Sequence, residues 1–275
     1  MFEWKNIFRG LLMGASDTVP GVSGGTIAVI LGIYDRLIEA INGFFTRNWK
    51  KQLGFLIPLG IGIGIALLTI SHVVTWLLEH YPNQTFFFFM GLIIGVLPFL
   101  FQQADVKTKF KGSHFVFLII AALAIASLVF FKDPTEGVTL DTTNVSVLIG
   151  LFFSGFIASM AMILPGISGS FILLLIGTYA TIMEAVKDIN LVVIGIVGVG
   201  VILGIVLCSK IIRYFLENFH AYTFAIIIGM VIGSIVVIFP GFEREVGKSI
   251  LSIVAFAIGL VVAVSLGKFE YKEKE

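Results

Sequence analysis

Pro20-Gly21-Val22-Ser23-Gly24-Gly25 recurs 145 positions later as Pro165-Gly166-Ile167-Ser168-Gly169-Ser170, and apolar sequence flanks each copy. The match continues in register, pairing Ile27 with Ile172, Gly32 with Gly177, Tyr34 with Tyr179 and Glu39 with Glu184. Proline removes a backbone donor and glycine permits a sharp reversal, so each copy breaks a helix. Non-helical backbone at membrane depth persists only where protein or a polar cavity satisfies its N–H and C=O groups. A Pro/Gly interruption at corresponding positions of two hydrophobic halves is therefore the pattern of a carrier's substrate site.

Composition places the chain in a membrane. Hydrophobic residues make up 58% of the 275 and charged residues 13%, with a mean hydropathy of +1.06. Soluble domains do not have this balance, and several runs exceed the roughly 18 apolar residues that argue for a transmembrane helix. Net charge is +1 and no basic patch is interleaved with aromatics, so no nucleic-acid partner is expected. The single Cys208 lies in an apolar run, which rules out an internal disulfide and implies no metal cluster. Residues 1–13 carry Glu3, Lys5 and Arg9 without a long apolar core, so they do not read as a signal peptide. The chain lacks a nucleotide-binding P-loop, a Ser/His/Asp set, an HExxH motif and clustered His/Cys ligands. Neither an enzyme nor a cofactor is expected.

The hydrophobic pattern divides the chain into two similar halves. The first, residues 1–131, reads as a broken pair of legs over 5–45 followed by spans at 53–78, 85–101 and 113–131. The second, residues 145–275, repeats that order with a broken pair over 146–186 and spans at 190–216, 222–239 and 248–267. A second block of the repeat aligns at an offset of 138, matching Gly60 with Gly198, Gly62 with Gly200, Thr85 with Thr223 and Gly91 with Gly229. Arg47, Lys50 and Lys51, the lysines of the 102–112 loop, and Lys268, Lys272 and Lys274 mark cytoplasmic segments, with both termini on that side. The 132–144 loop, with Lys132 against Asp133, Glu136 and Asp141, falls outside. These placements hold together only if both ends of each broken pair lie on one side of the membrane. Each half then crosses an odd number of times, and the second is upside down relative to the first. The expected fold is an all-α polytopic membrane protein of two inverted-topology repeats, each a re-entrant pair plus three transmembrane helices.

The broken tips are the first candidate site. Helix starts near Gly24 and Gly169 would present unpaired N–H groups, with Ser23, Thr26, Ser168 and Ser170 as available caps. A helix start attracts anions, phosphate above all. Pro20, Gly21, Gly25, Pro165 and Gly166 shape the two reversals. The competing reading is a pair of kinks that neighbouring helices stabilise. Asp17, whose repeat partner is the apolar Met162, is a functional candidate because ionisable groups at membrane depth are costly. It reads either as a group that exchanges a coupling proton or cation, or as a helix cap near the surface. Arg9, Lys210 and Arg213 are candidate phosphate partners, although basic residues near a helix end commonly snorkel to the headgroups. His72, at the position equivalent to Lys210, and the mirrored Glu39 and Glu184 are secondary.

The string Met13-Gly14-Ala15-Ser16-Asp17-Thr18-Val19-Pro20-Gly21-Val22-Ser23-Gly24-Gly25-Thr26, followed by Gly32-Ile33-Tyr34, resembles the bacterial polyprenyl-phosphate transporters of the PopT type. Leu164-Pro165-Gly166-Ile167-Ser168-Gly169 also fits that family's pattern. The resemblance implies a flippase in the bacterial cytoplasmic membrane. Such a protein would return undecaprenyl phosphate, the carrier lipid of cell-wall and surface-polymer synthesis, from the outer to the inner leaflet. It would place recognition and gating at 17–26 and 165–170. Two other readings stay open: a secondary transporter of a soluble anion or small molecule, and a non-transporting protein that organises the membrane.

Overall fold

A computed structural model describes residues 2–19, 22–47, 49–131, 139–243 and 245–272, so Pro20, Gly21 and most of the 132–144 loop lie outside the described residues. The described residues form helices and no strand, as expected for an all-α membrane protein. The first half runs through α1 (Lys5–Asp17), α2 (Gly24–Ile30), α3 (Tyr34–Phe44), α4 (Trp49–Ile65), α5 (Ser71–His80), α6 (Pro82–Gln103), α7 (Val106–Lys109) and α8 (Gly112–Ala126). The second half runs through α9 (Val145–Ile163), α10 (Gly169–Ile176), α11 (Tyr179–Lys187), α12 (Leu191–Asn218), α13 (His220–Ile238) and α14 (Val246–Lys272). Seven of the helical segments are long and apolar enough to cross a membrane. The chain is a multi-pass membrane protein.

Each broken pair has one more break than the sequence suggests. The second leg is two helices, separated at Gly32 (φ 62°) in the first half and at Gly177 (φ 80°) in the second. Both glycines take the left-handed conformation that side chains resist, which gives the Gly32–Gly177 match its physical reason. The α10–α11 pair bends by 110° as a result. At the equivalent first legs, α9 has 19 residues and is long enough to cross, whereas α1 has only 13.

Glycines decide how the spans pack. A Cβ at Gly10 would overlap the Leu59 carbonyl oxygen and one at Gly62 that of Ile7, so α1 and α4 cross backbone to backbone and run parallel. The mirror pair repeats the device, with Gly155 against the Val197 carbonyl and Gly200 against that of Phe152. Gly91 and Gly95 likewise bring α6 onto α14 at Phe256 and Leu260, while Gly229 and Gly233 bring α13 onto α8 at Leu118 and Ala122. Small residues at membrane helix interfaces permit such close approach. Because α1 and α4 run parallel, the chain between them must return to its starting side. The same holds between α9 and α12.

The halves also differ. Pro58 lies inside α4 and cannot bond the carbonyl four residues back; the Glu3 N–H takes that Gly54 carbonyl at 2.9 Å instead. A π turn at Ala66–Ile70 joins α4 to α5, while α12 is one unbroken helix of 28 residues. Every residue of α2 is buried, against α1, α6, α9 and α14. Its counterpart α10 buries only Phe171 and packs mainly on α9 and α11. The α3 helix reaches across to α12, where buried Asn42 donates to the Ser209 carbonyl at 2.8 Å.

Candidate functional site

The two tips meet. Gly166 N–H donates to Thr26 Oγ1 at 2.8 Å, Thr26 Oγ1 lies 3.0 Å from Ser23 Oγ, and Ser23 Oγ donates to the Leu164 carbonyl at 3.5 Å. This is a closed chain from one half to the other. It begins and ends on the residues flanking Pro165, which has no N–H of its own to contribute. Ser23 and Thr26 are fully buried, so neither hydroxyl has water as an alternative partner. The contact is tight as well as polar. A Cβ at Gly25 would sit 2.7 Å from the Ile163 carbonyl oxygen, and Gly166, at φ +87°, is held against the Met230 carbonyl.

Thr26→Val removes the acceptor for Gly166 N–H while keeping the shape of the side chain. Leaving that buried donor unpaired costs about 1–3 kcal/mol. The melting midpoint in detergent is expected to fall, while Thr26→Ser holds near wild type; equal midpoints for all three would show the link is not formed.

The start of α2 carries its own anion. Gly24 N–H donates to Asp17 Oδ1 at 2.6 Å, and Ser23 Oγ accepts the Thr26 N–H at 3.2 Å as N-cap. A carboxylate and a hydroxyl thus take the donors that the sequence reading offered to a ligand. The second start differs. Ser168, the N-cap of α10, makes no side-chain capping bond, and its hydroxyl instead lies 2.8 Å from that of Ser170. Gly169 packs near the Ala158 carbonyl, so α10 rests on α9. Of the tip residues singled out in the sequence, Asp17, Ser23, Gly24, Gly25, Thr26 and Gly166 come together, with Ser168, Gly169 and Ser170 following on the same strand of chain.

The basic candidates lie elsewhere. Lys210 and Arg213 are exposed on α12, and Arg213 Nε bonds Glu217 Oε1 at 2.7 Å. That exposure agrees with the snorkelling alternative. Arg9 Nη1 donates to Asn6 Oδ1 at 2.7 Å on its own helix. His72 and Glu184 are exposed. Glu39 faces a residue the sequence reading passed over: Arg36 Nη1 is 3.6 Å from Glu39 Oε2, donates to Gln52 Oε1 at 2.7 Å, and its guanidinium lies 4.9 Å from the Phe55 ring centre. Arg36 and Glu39 sit three apart on one helix, a spacing that pairs charges and was visible in the sequence. Arg36 thereby ties α3 to α4 at the end of the first pair. The Leu164 carbonyl and buried Asn42 also escaped sequence reading, because nothing local marks a backbone acceptor or a packed amide.

Paired helix breaks joined at their tips, inside a bundle of apolar spans, define a polytopic membrane protein with a built polar centre. The profile of the VCA0040-like family, described as undecaprenyl phosphate translocase-like, matches residues 13–254, and the chain belongs to that family. It is 43% identical to a polyprenyl-phosphate transporter of Staphylococcus aureus over 275 residues, covering 97% of each chain. It is 39% identical to a polyprenyl-phosphate transporter of Vibrio cholerae over 245 residues, covering 84% of this chain and 76% of the relative. No solved structure matches at a significant level.

Proposed function

We propose that this protein carries an isoprenoid lipid phosphate, of the polyprenyl-phosphate class, between the two leaflets of its membrane. The observation that carries the reading is the hydrogen-bonded meeting of the two tips, in a chain whose relatives bear that transporter name. The phosphate head is held at the tips while the tail stays in apolar surroundings. In the arrangement described, the start of α2 is taken by Asp17, and the start of α10, which has no side-chain cap although Ser168 is buried, is the one left to phosphate.

An inverted pair of repeats supplies the motion. The parallel crossings α1–α4 and α9–α12 support a re-entrant path in each half. The parallel pairs α6–α14 and α8–α13, with the one-residue joints at Tyr81 and Phe219, support opposite directions for α4 and α12. The domain order is then 1–131 and 145–275 as inverted copies. A buried α2 beside an open α10 is one of two end states, and rocking the halves exchanges their roles. Lysine-rich loops support a cytoplasmic side for both termini in a bacterial membrane, and the direction read with it is from outer to inner leaflet. Proton coupling runs through Asp17. A soluble anion would need no such apolar setting.

Transport of undecaprenyl phosphate by purified protein in sealed vesicles tests the reading, beside a Ser23→Ala/Ser168→Ala variant. Wild type is expected to move the lipid between leaflets, and the double variant to be slower by about tenfold, roughly the loss of one buried hydrogen bond. No transfer by folded wild type, with or without a proton gradient, would overturn the assignment.

A further inference from the structure

We infer that the protein holds two related seats for an isoprenoid chain, each built mainly by one half and completed by a helix of the other, both ending at the joined tips. The inference rests on the proposed transport of a lipid phosphate and deepens it by locating the tail.

Two apolar clefts, of about 420 and 490 Å³, border the tips, the first at Ser16 and Ile27 and the second at Leu164 and Met230. Nine wall positions correspond at the offset of 138, whereas the wall that α1 and α2 give the first cleft, from Leu12 to Leu31, has no counterpart in the second. Val74, Phe88 and Ala255 line the first where Ile212, Ile226 and Phe117 line the second. The last pair joins α14 to the first cleft and α8 to the second, so the correspondence follows the whole repeat and not one hairpin. Inverted repeats that exchange states need related seats on both sides, and these two share the walls their repeated hairpins supply.

The chemistry of the walls selects the occupant. Thr85 and Thr223 occupy matching wall positions, yet each hydroxyl is spent on its own helix, at 2.8 Å to the Tyr81 carbonyl and 3.0 Å to that of Phe219. Apart from Gln84 and Tyr81 on the first wall and the Tyr34 and Tyr222 hydroxyls on the second, the clefts offer apolar surface suited to hydrocarbon. Their inner ends reach the polar centre. The first touches Ser16, next to Asp17; the second touches Leu164, whose carbonyl accepts from Ser23, and Met230, whose carbonyl packs on Gly166. A ligand with a charged head and an apolar chain fits that continuity, with the head at the tips and the first stretch of chain in a cleft. The rims differ as the two ends of a transport cycle should. Ile211, Phe215, Phe219 and Ile226 expose the second cleft's edge at the protein's outer surface, while Tyr81 is the exposed large hydrophobic on the first. In this state both clefts have an opening, and the second has the more exposed apolar rim.

The test uses a photoreactive long-chain polyprenyl phosphate with the full-length protein in phospholipid vesicles. Labels are expected on residues of the two clefts, and excess unlabelled long-chain lipid should protect them. Equal protection by phospholipid would make the clefts ordinary lipid grooves and overturn the inference, as would protection by inorganic phosphate alone or labelling spread over the outer helix faces. The second arm narrows the clefts with Ala255→Phe, which installs the residue its mirror position already carries, and Ile226→Trp. Transport of the long-chain lipid and of a three-isoprene phosphate should both fall by about tenfold, the equivalent of two buried methylenes, because the first stretch of either chain enters the narrowed cleft. Leu123→Phe, on an exposed helix face, should leave both rates within about twofold. Unchanged rates in the narrowed variants, or an equal fall with Leu123→Phe, sink the assignment. Wild type that labels in the clefts but moves no lipid overturns the transport reading and leaves the seats standing; transport without cleft labelling does the reverse.

Discussion

Gly62→Leu and Gly200→Leu should each eliminate most folded protein, whereas Gly60→Leu and Gly198→Leu should leave it nearly intact. All four glycines belong to the repeat and lie two residues apart in each half, so sequence treats them alike. The structure separates them. At Gly62 and Gly200 any Cβ overlaps a carbonyl oxygen of the crossing helix, at Ile7 and Phe152, and backbone cannot step aside as a side chain can. At Gly60 and Gly198 nothing lies within 4 Å of the added carbon. Ordinary overpacking costs about 1–3 kcal/mol, and a backbone clash at the centre of a close crossing exceeds that. Exposed changes stay near 0.5 kcal/mol. The yield of monodisperse protein from detergent extracts, with melting midpoints, checks the contrast. Equal behaviour of all four would mean that the α1–α4 and α9–α12 crossings are wider than described.

That contrast shows what kind of information the sequence held. The duplicated Pro-Gly-x-Ser-Gly tips, the apolar spans and the register of the repeat were all legible, because each is a pattern along the chain. Which helix faces touch was not, since an offset of 138 pairs Gly60 with Gly198 as readily as Gly62 with Gly200. The extra break at Gly32 and Gly177 was present as a match but not as a bend, because glycine is compatible with a helix until φ turns positive. The charges divided along the same line. Lys210 and Arg213 are open in sequence to a phosphate role or to snorkelling, and only their exposure on α12 bears on the choice. The Asp17 carboxylate, three residues from a proline, folds back seven positions to meet Gly24. A contact across a reversal has no periodicity to betray it. Under the proposed transport cycle, Asp17 and the lipid's phosphate would hold that helix start in turn.

Exchange of that kind makes Asp17→Asn the most informative single change in the site. The amide oxygen of Asn can still accept the Gly24 N–H, so the tip and the fold are expected to survive, with a melting midpoint close to wild type. What disappears is the carboxylate at the start of α2, and with it the group to which the proposed coupling assigns the proton. A hydrogen bond to a charged group contributes about 1.5–3 kcal/mol, so transport should slow by roughly tenfold to a hundredfold. The remaining flux should no longer respond to an imposed pH gradient. Gly24→Ala approaches the same contact from the other side, because its Cβ would lie 3.0 Å from Asp17 Oδ2 and 3.2 Å from Oδ1 and so push the carboxylate off the helix start. It should slow transport yet keep the response to the gradient, since the titrating group is still there. The two variants together separate position from charge. Were Asp17→Asn to carry wild-type flux at every pH and gradient, Asp17 would be a cap and nothing more, and the coupling would have to be sought at another group.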